Sequence, residues 1–186
     1  MALVTDLLVD EEPPARLGAI RALASNGGEA GALLLRLKAL SGDKDPEILG
    51  ECFSGLLVGA GEPALPFVSA YMDSEDEVTA EAAIWALGQS RLSGGVTALQ
   101  EKWERTLDRS VRKTLVAALA ASRLEEAIDY LCVKLQDTDA ETAKAIVSAL
   151  SNYASNDAVR QAVASAIGER SNRALTEAFR EHFPAR

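Results

Sequence analysis

One pattern recurs five times along the chain at an almost constant interval, and it limits the possible folds more than any other feature. The copies are Ala19-Ile20-Arg21-Ala22-Leu23, Cys52-Phe53-Ser54-Gly55-Leu56, Ala83-Ile84-Trp85-Ala86-Leu87, Leu115-Val116-Ala117-Ala118-Leu119 and Ile146-Val147-Ser148-Ala149-Leu150. Their closing leucines are 33, 31, 32 and 31 positions apart. A period of this length marks a repeat architecture, in which one supersecondary unit stacks on the next. Eleven positions before each leucine stands an acidic residue: Glu12, Asp45, Asp76, Asp108 or Asp139. A carboxylate there is placed to accept the orphan N–H groups of a helix start and to meet the positive end of the helix dipole. Pro13, Pro14 and Pro46 follow the acidic position, where a missing N–H costs nothing.

A second helix follows each of these in the same reading. Leu65, Val68 and Met72, then Val96, Leu99 and Trp103, then Ile128, Leu131 and Leu135 each mark one helical face. The joins are rich in breakers: Ser25-Asn26-Gly27-Gly28, Gly59-Ala60-Gly61-Glu62-Pro63, Ser93-Gly94-Gly95 and Ser155-Asn156-Asp157. A hairpin of this kind cannot bury both apolar faces alone, so neighbours must stack. The expected fold is all-α, an α-α superhelix of about five helical hairpins with half-repeat caps, forming a single domain over residues 1–186. The leading cap places Leu3 and Leu7 on core positions; the trailing cap begins at Ser171 and places Leu175, Ala178 and Phe179 there. The core is expected at Ile20, Leu23, Phe53, Leu56, Ile84, Leu87, Val116, Leu119, Val147 and Leu150 of first helices, and at Leu35, Val68, Leu99 and Leu131 of second helices. Composition agrees, since 48% of residues are hydrophobic but only 5% aromatic, which suits close-packed helices.

Charge narrows the function. With 19 Lys and Arg against 28 Asp and Glu, the formal net charge is -9, which repels a phosphate backbone, so nucleic acid is not the expected partner. No stretch has the length or apolarity of a bilayer span and no secretory signal is legible, so the expectation is a cytoplasmic protein without a membrane partner. Cys52 and Cys132 lie within apolar helical patterns and read as small hydrophobes. His182, the only histidine, falls on the capping helix and reads as structural. No metal-ligand spacing, EF-hand or glycine-rich phosphate loop occurs, so no catalytic residue, metal or cofactor is expected. Asp73-Ser74-Glu75-Asp76-Glu77 reads as a solvated turn with a helix cap, and Trp85 and Trp103 as packing residues.

The fourth unit, Asp108-Arg109-Ser110-Val111-Arg112-Lys113 followed by Ala117-Ala118-Leu119, resembles the HEAT-like repeats of the short type also found in phycobilin lyases. Asp76 through Ala86-Leu87-Gly88 is nearly as close, whereas Ile48-Leu49 and Thr142-Ala143 replace the family's Val-Arg. The resemblance implies the superhelical architecture. It also implies two functional expectations: a non-catalytic scaffold or adaptor for a protein or peptide, or a lyase-like subunit binding a linear tetrapyrrole.

The scaffold expectation has a surface attached to it. With the second helices in register, one column reads Leu34, Phe67, Ala98, Tyr130 and the next reads Lys38, Tyr71, Lys102, Lys134. Positions i and i+4 share a helical face. Phe67, Tyr71, Lys102, Tyr130 and Lys134 are therefore the expected partner-binding residues: the aromatics supply contact area, and the lysines orient an acidic partner.

Overall fold

The computed structural model describes residues 2–170 and 172–184. Among them the only regular structure is helical, and no strand occurs. Helix α1 (Ala2–Leu7) leads into five hairpins: α2 (Pro13–Asn26) with α3 (Gly28–Ser41), α4 (Pro46–Ala60) with α5 (Leu65–Ala70), α6 (Glu77–Gln89) with α7 (Ser93–Arg105), α8 (Arg109–Ser122) with α9 (Glu125–Asp137), and α10 (Ala140–Leu150) with α11 (Asp157–Arg170). Helix α12 (Arg173–His182) closes the series. The all-α array of hairpins with a half repeat at each end is thus the observed architecture.

The acidic positions explain where the first helices begin. Asp45, Asp76, Asp108 and Asp139 are N-caps whose carboxylates accept backbone N–H groups of the first turn. Glu12 occupies the same position but makes no side-chain cap. Its longer side chain does not reproduce the short Asp geometry; instead Asp10 accepts the Glu12 N–H at 2.9 Å. The trailing start at Ser171 falls outside the described residues. Asn172 caps α12 by accepting from Ala174 and Leu175.

The chain packs as two compact units, Met1–Ala98 and Leu99–Arg186. In the first, α2 packs on α3 and α4, α3 on α4, and α4 on α6. All the first-unit core positions expected above are buried, with Ile20, Phe53, Leu56, Leu87 and Val68 completely so. In the second, α8 packs on α9 and α10, α9 on α10 and α11, and α12 on α10 and α11. Leu99, Val116, Leu119, Leu131, Val147 and Leu150 line that core.

Four expectations are corrected. Leu3 is exposed and Leu7 half-buried, while Leu8 takes the core position of the leading cap. The α1 helix is a short turn and a half, and its frayed end puts the next residue inward. In the trailing cap only Leu175 of the three expected residues is buried; Ala178 and Phe179 are half-buried, and Phe183 goes inward, its ring stacked on Phe179 at 4.9 Å. Trp85 is 38% exposed, whereas Trp103 is buried, so only one tryptophan is a packing residue. Finally, Ser93-Gly94-Gly95 opens α7 and does not join the helices; the break lies just before it, where Arg91 has φ 55°. Both glycines sit close against their neighbours. A Cβ on Gly94 would approach Leu65 to 2.5 Å, and one on Gly95 would lie 3.0 Å from the Leu87 carbonyl oxygen.

A buried ionic knot closes the first hairpin. Asp43, in the α3–α4 turn, accepts from Arg16 at 2.9 Å and pairs with Lys38 at 2.7 Å. The three side chains are 6%, 11% and 10% exposed respectively. Arg16 also donates to the carbonyls of Asp10 and Glu11, fastening the turn ahead of α2. Burial alone would push the Asp43 carboxyl up, but hydrogen bonds from Lys38, the Asp45 amide and Arg16 together hold it below the ordinary carboxylate range.

Candidate functional site

The expected partner-binding residues divide between the units, and the two groups have different surroundings. In the first unit Phe67 and Tyr71 come together, their rings edge to face at 5.3 Å, because they are one turn apart across the end of α5. Tyr71 then packs on buried Phe53 at 4.7 Å, and this burial raises its phenol above the ordinary value. Both rings are half-buried, so each keeps an accessible edge. Lys38 of the same column is not available, being committed to Asp43.

Above Phe67 lies Arg36, a residue the column reading did not single out. Its guanidinium carbon is 5.0 Å from the ring centroid, within cation–π range. Among the described residues Arg36 has no carboxylate partner. It also lines an open groove of about 600 Å³, together with Ala32, Leu33, Ala60 and Pro63. The groove forms because α3 starts at Gly28 beside the end of α4, where Gly59 and Ala60 carry little or no side chain. Glu29, in the first turn of α3, also lines it.

In the second unit Tyr130 and Lys134 also come together, with the ammonium 5.4 Å from the ring centroid. Here the contact is closed by Glu104 of α7. Its carboxylate accepts from Tyr130 Oη at 2.8 Å and pairs with Lys134 Nζ at 2.8 Å. Those two bonds, Lys134's the larger, hold the Glu104 carboxyl low; burial, then the bond to Glu104, raise the Tyr130 phenol. Trp103 presents its face to Arg112 at 5.0 Å and stands edge to face with Tyr130 at 6.3 Å. Lys102 is half-buried on α7. The charge on Lys134, expected to orient an acidic partner, is thus already neutralised within the unit. Glu104 occupies a different column from Tyr130 and Lys134, so spacing within one column does not reveal it.

Both thiols are favoured in their protonated form. Burial pushes the Cys52 thiol up to about 12 and the Cys132 thiol up to about 11, the latter helped by Asp129. Near neutral pH Cys132 therefore holds less of the reactive thiolate than an exposed cysteine. A disulfide-exchange reagent should label Cys132 slowly in the native protein and Cys52 only after denaturation; rapid labelling of both would contradict this packing. Among the described residues no group of three or more His, Cys, Asp or Glu is arranged to hold a metal ion, and no helix is long and apolar enough to cross a membrane. The chain matches no protein-family model and no curated protein.

Proposed function

We propose that this chain is a HEAT-like, non-catalytic protein-binding scaffold, and that the groove beside α3 takes a partner segment bearing an apolar side chain next to a carboxylate. The observation that carries this reading is Arg36, a guanidinium without an ionic partner among the described residues, resting on an aromatic ring in a groove whose other lining is apolar apart from Glu29. An apolar anchor would fill the space between Leu33, Ala60 and Pro63, and a carboxylate would complete Arg36 with bidentate geometry. Desolvated aromatic and arginine contacts of this kind dominate binding energies at interfaces. The surface of the second unit contributes less, because Glu104 already satisfies Tyr130 and Lys134.

The test is affinity capture from a native lysate with the wild-type protein and with Arg36→Glu and Phe67→Ala, followed by titration of the recovered partner. Each substitution should weaken binding by about 30-fold, corresponding to about 2 kcal/mol, with helicity unchanged. A partner held equally well by both variants would overturn the assignment. Addition of a linear tetrapyrrole should leave the pigment's visible spectrum unchanged; a band shift abolished by Phe67→Ala would replace the scaffold reading with a pigment-binding one.

A further inference from the structure

Glu29 has no task in a groove that asks only for an apolar anchor and a carboxylate to meet Arg36. It is exposed, it lines that groove, and among the described residues neither it nor Arg36 has an ion-pair partner. Any acid in the first turn of a helix meets the positive end of the dipole, whichever way it faces. Glu29 faces the groove, in line with Arg36. The lining that α3 supplies is Glu29, Ala32, Leu33 and Arg36, an i, i+3, i+4, i+7 set that makes one helical face. Two opposite charges thus bound an apolar stretch, about 10 Å apart at about 1.5 Å per residue. The opposite wall is low, because Gly59 and Ala60 end α4 and Pro63 follows. The space of about 600 Å³ is more than one side chain fills, and it lies within the range of about 300–1,000 Å³ of sites that take a larger body.

The spacing of the two charges decides the form of the occupant. A carboxylate for Arg36 and a cation for Glu29 have to leave the same side of one segment about 10 Å apart. In an extended segment that distance is about three residues, at about 3.3 Å each, and side chains three apart point to opposite faces. In a helix it is about seven residues, and positions i and i+7 share a face with i+3 and i+4. A helix therefore presents both charges, and the apolar residues between them, to the groove at once, as helix-in-groove recognition requires. A purely acidic segment would set a like charge against Glu29, and the net charge of -9 adds to that repulsion.

We infer, resting on the groove reading, that the occupant is an amphipathic helix of a partner protein, with a carboxylate for Arg36, a Lys or Arg seven positions away for Glu29, and apolar residues between them that enter the groove. The test is fluorescence-anisotropy titration of labelled Ala-rich peptides of about 16 residues, long enough to form a helix, with the full chain at low salt up to about 1 mM. One peptide carries Glu, Leu at the third and fourth positions after it, and Lys at the seventh; the other has Glu in place of that Lys. The wild type should bind the Glu–Lys peptide about 10-fold more tightly than the Glu–Glu peptide, and Glu29→Lys should reverse the preference with the circular dichroism unchanged. A wild type that binds neither peptide, or both equally, would overturn the inference. So would a preference that survives Glu29→Lys. Arg36→Glu and Phe67→Ala report on the groove itself. If they weaken binding of the Glu–Lys peptide while Glu29→Lys leaves its preference intact, the groove stands and the charge-spaced helix falls. If neither weakens it, the groove reading falls and takes the helix with it.

Discussion

Asp43→Ala is expected to destabilise the first unit by about 3–5 kcal/mol, read from the fall in the urea midpoint at pH 7. Two buried cations, Arg16 and Lys38, have this one carboxylate as their ionic partner. Removing one member of a buried ionic group leaves uncompensated charge in a poorly solvated place, and the cost greatly exceeds that of losing a surface pair. Arg16 already has its Nε buried without a hydrogen-bond partner, so it has little spare solvation to draw on. The pH dependence follows from the direction of the Asp43 shift. Because the folded carboxyl titrates below its unfolded value, the unfolded chain takes up the proton first as pH falls. The stabilisation is therefore fully present above the ordinary carboxylate value of about 4 and is lost as pH drops through the folded value. Wild type should lose stability in that acid window, and Asp43→Ala should lack this component. A loss below about 1 kcal/mol at pH 7 would mean that water replaces the carboxylate.

The second large effect is expected at Leu119. This side chain is fully buried on α8, and Val116, Leu131 and Val147 are also buried on α8, α9 and α10, helices that pack on one another. Leu119→Ala should cost the second unit about 2–5 kcal/mol, combining lost apolar transfer with a cavity that packed helices cannot close. Trp103 fluorescence in a Trp85→Phe background is the suitable probe, since Trp103 is buried in that unit beside Tyr130 and Arg112. A loss under 1 kcal/mol would show that α8 and α10 can move together to fill the space.

The core was legible in the sequence because burial in a repeat follows helical phase. Residues as different as Cys52, Ala83 and Leu115 hold equivalent positions, and all three are buried. Capping was legible for the same reason wherever the residue was Asp; Glu12 failed because chain length, and not charge, decides whether an oxygen reaches the first-turn amides. The ends were harder to read. α1 spans only six residues, too few for spacing alone to fix its phase, and Leu8, just past its end, is buried in place of Leu3 and Leu7. The candidate surface was half legible: Phe67, Tyr71, Tyr130 and Lys134 do meet as the i, i+4 rule requires. What decides their availability lies elsewhere in the chain. Glu104 reaches Tyr130 across 26 positions and Arg36 covers Phe67 from a neighbouring hairpin, contacts that depend on how hairpins seat against each other. The wall that α3 gives the groove was hidden for a related reason, since Leu33 and Leu35 look alike in sequence and only packing separates the buried one from the exposed one.

The order in which helices touch has a consequence for how the chain reaches this state. Within each unit, a helix packs on the next one or the next but one. The long-range side-chain links obey the same limit: Arg170 donates to the carbonyls of Leu135 and Thr138, and Tyr153 Oη to that of Ala120, each about one period away. None of these contacts among the described residues asks the chain to close a large loop, so the entropic obstacle to each docking event is small. Folding rates rise as contacts become more local, and a chain wired in this way can begin from any stable hairpin and add its neighbours one at a time. A ribosome releasing it residue by residue would let each completed hairpin find its partners before the next emerges, without leaving an apolar face waiting for a distant one.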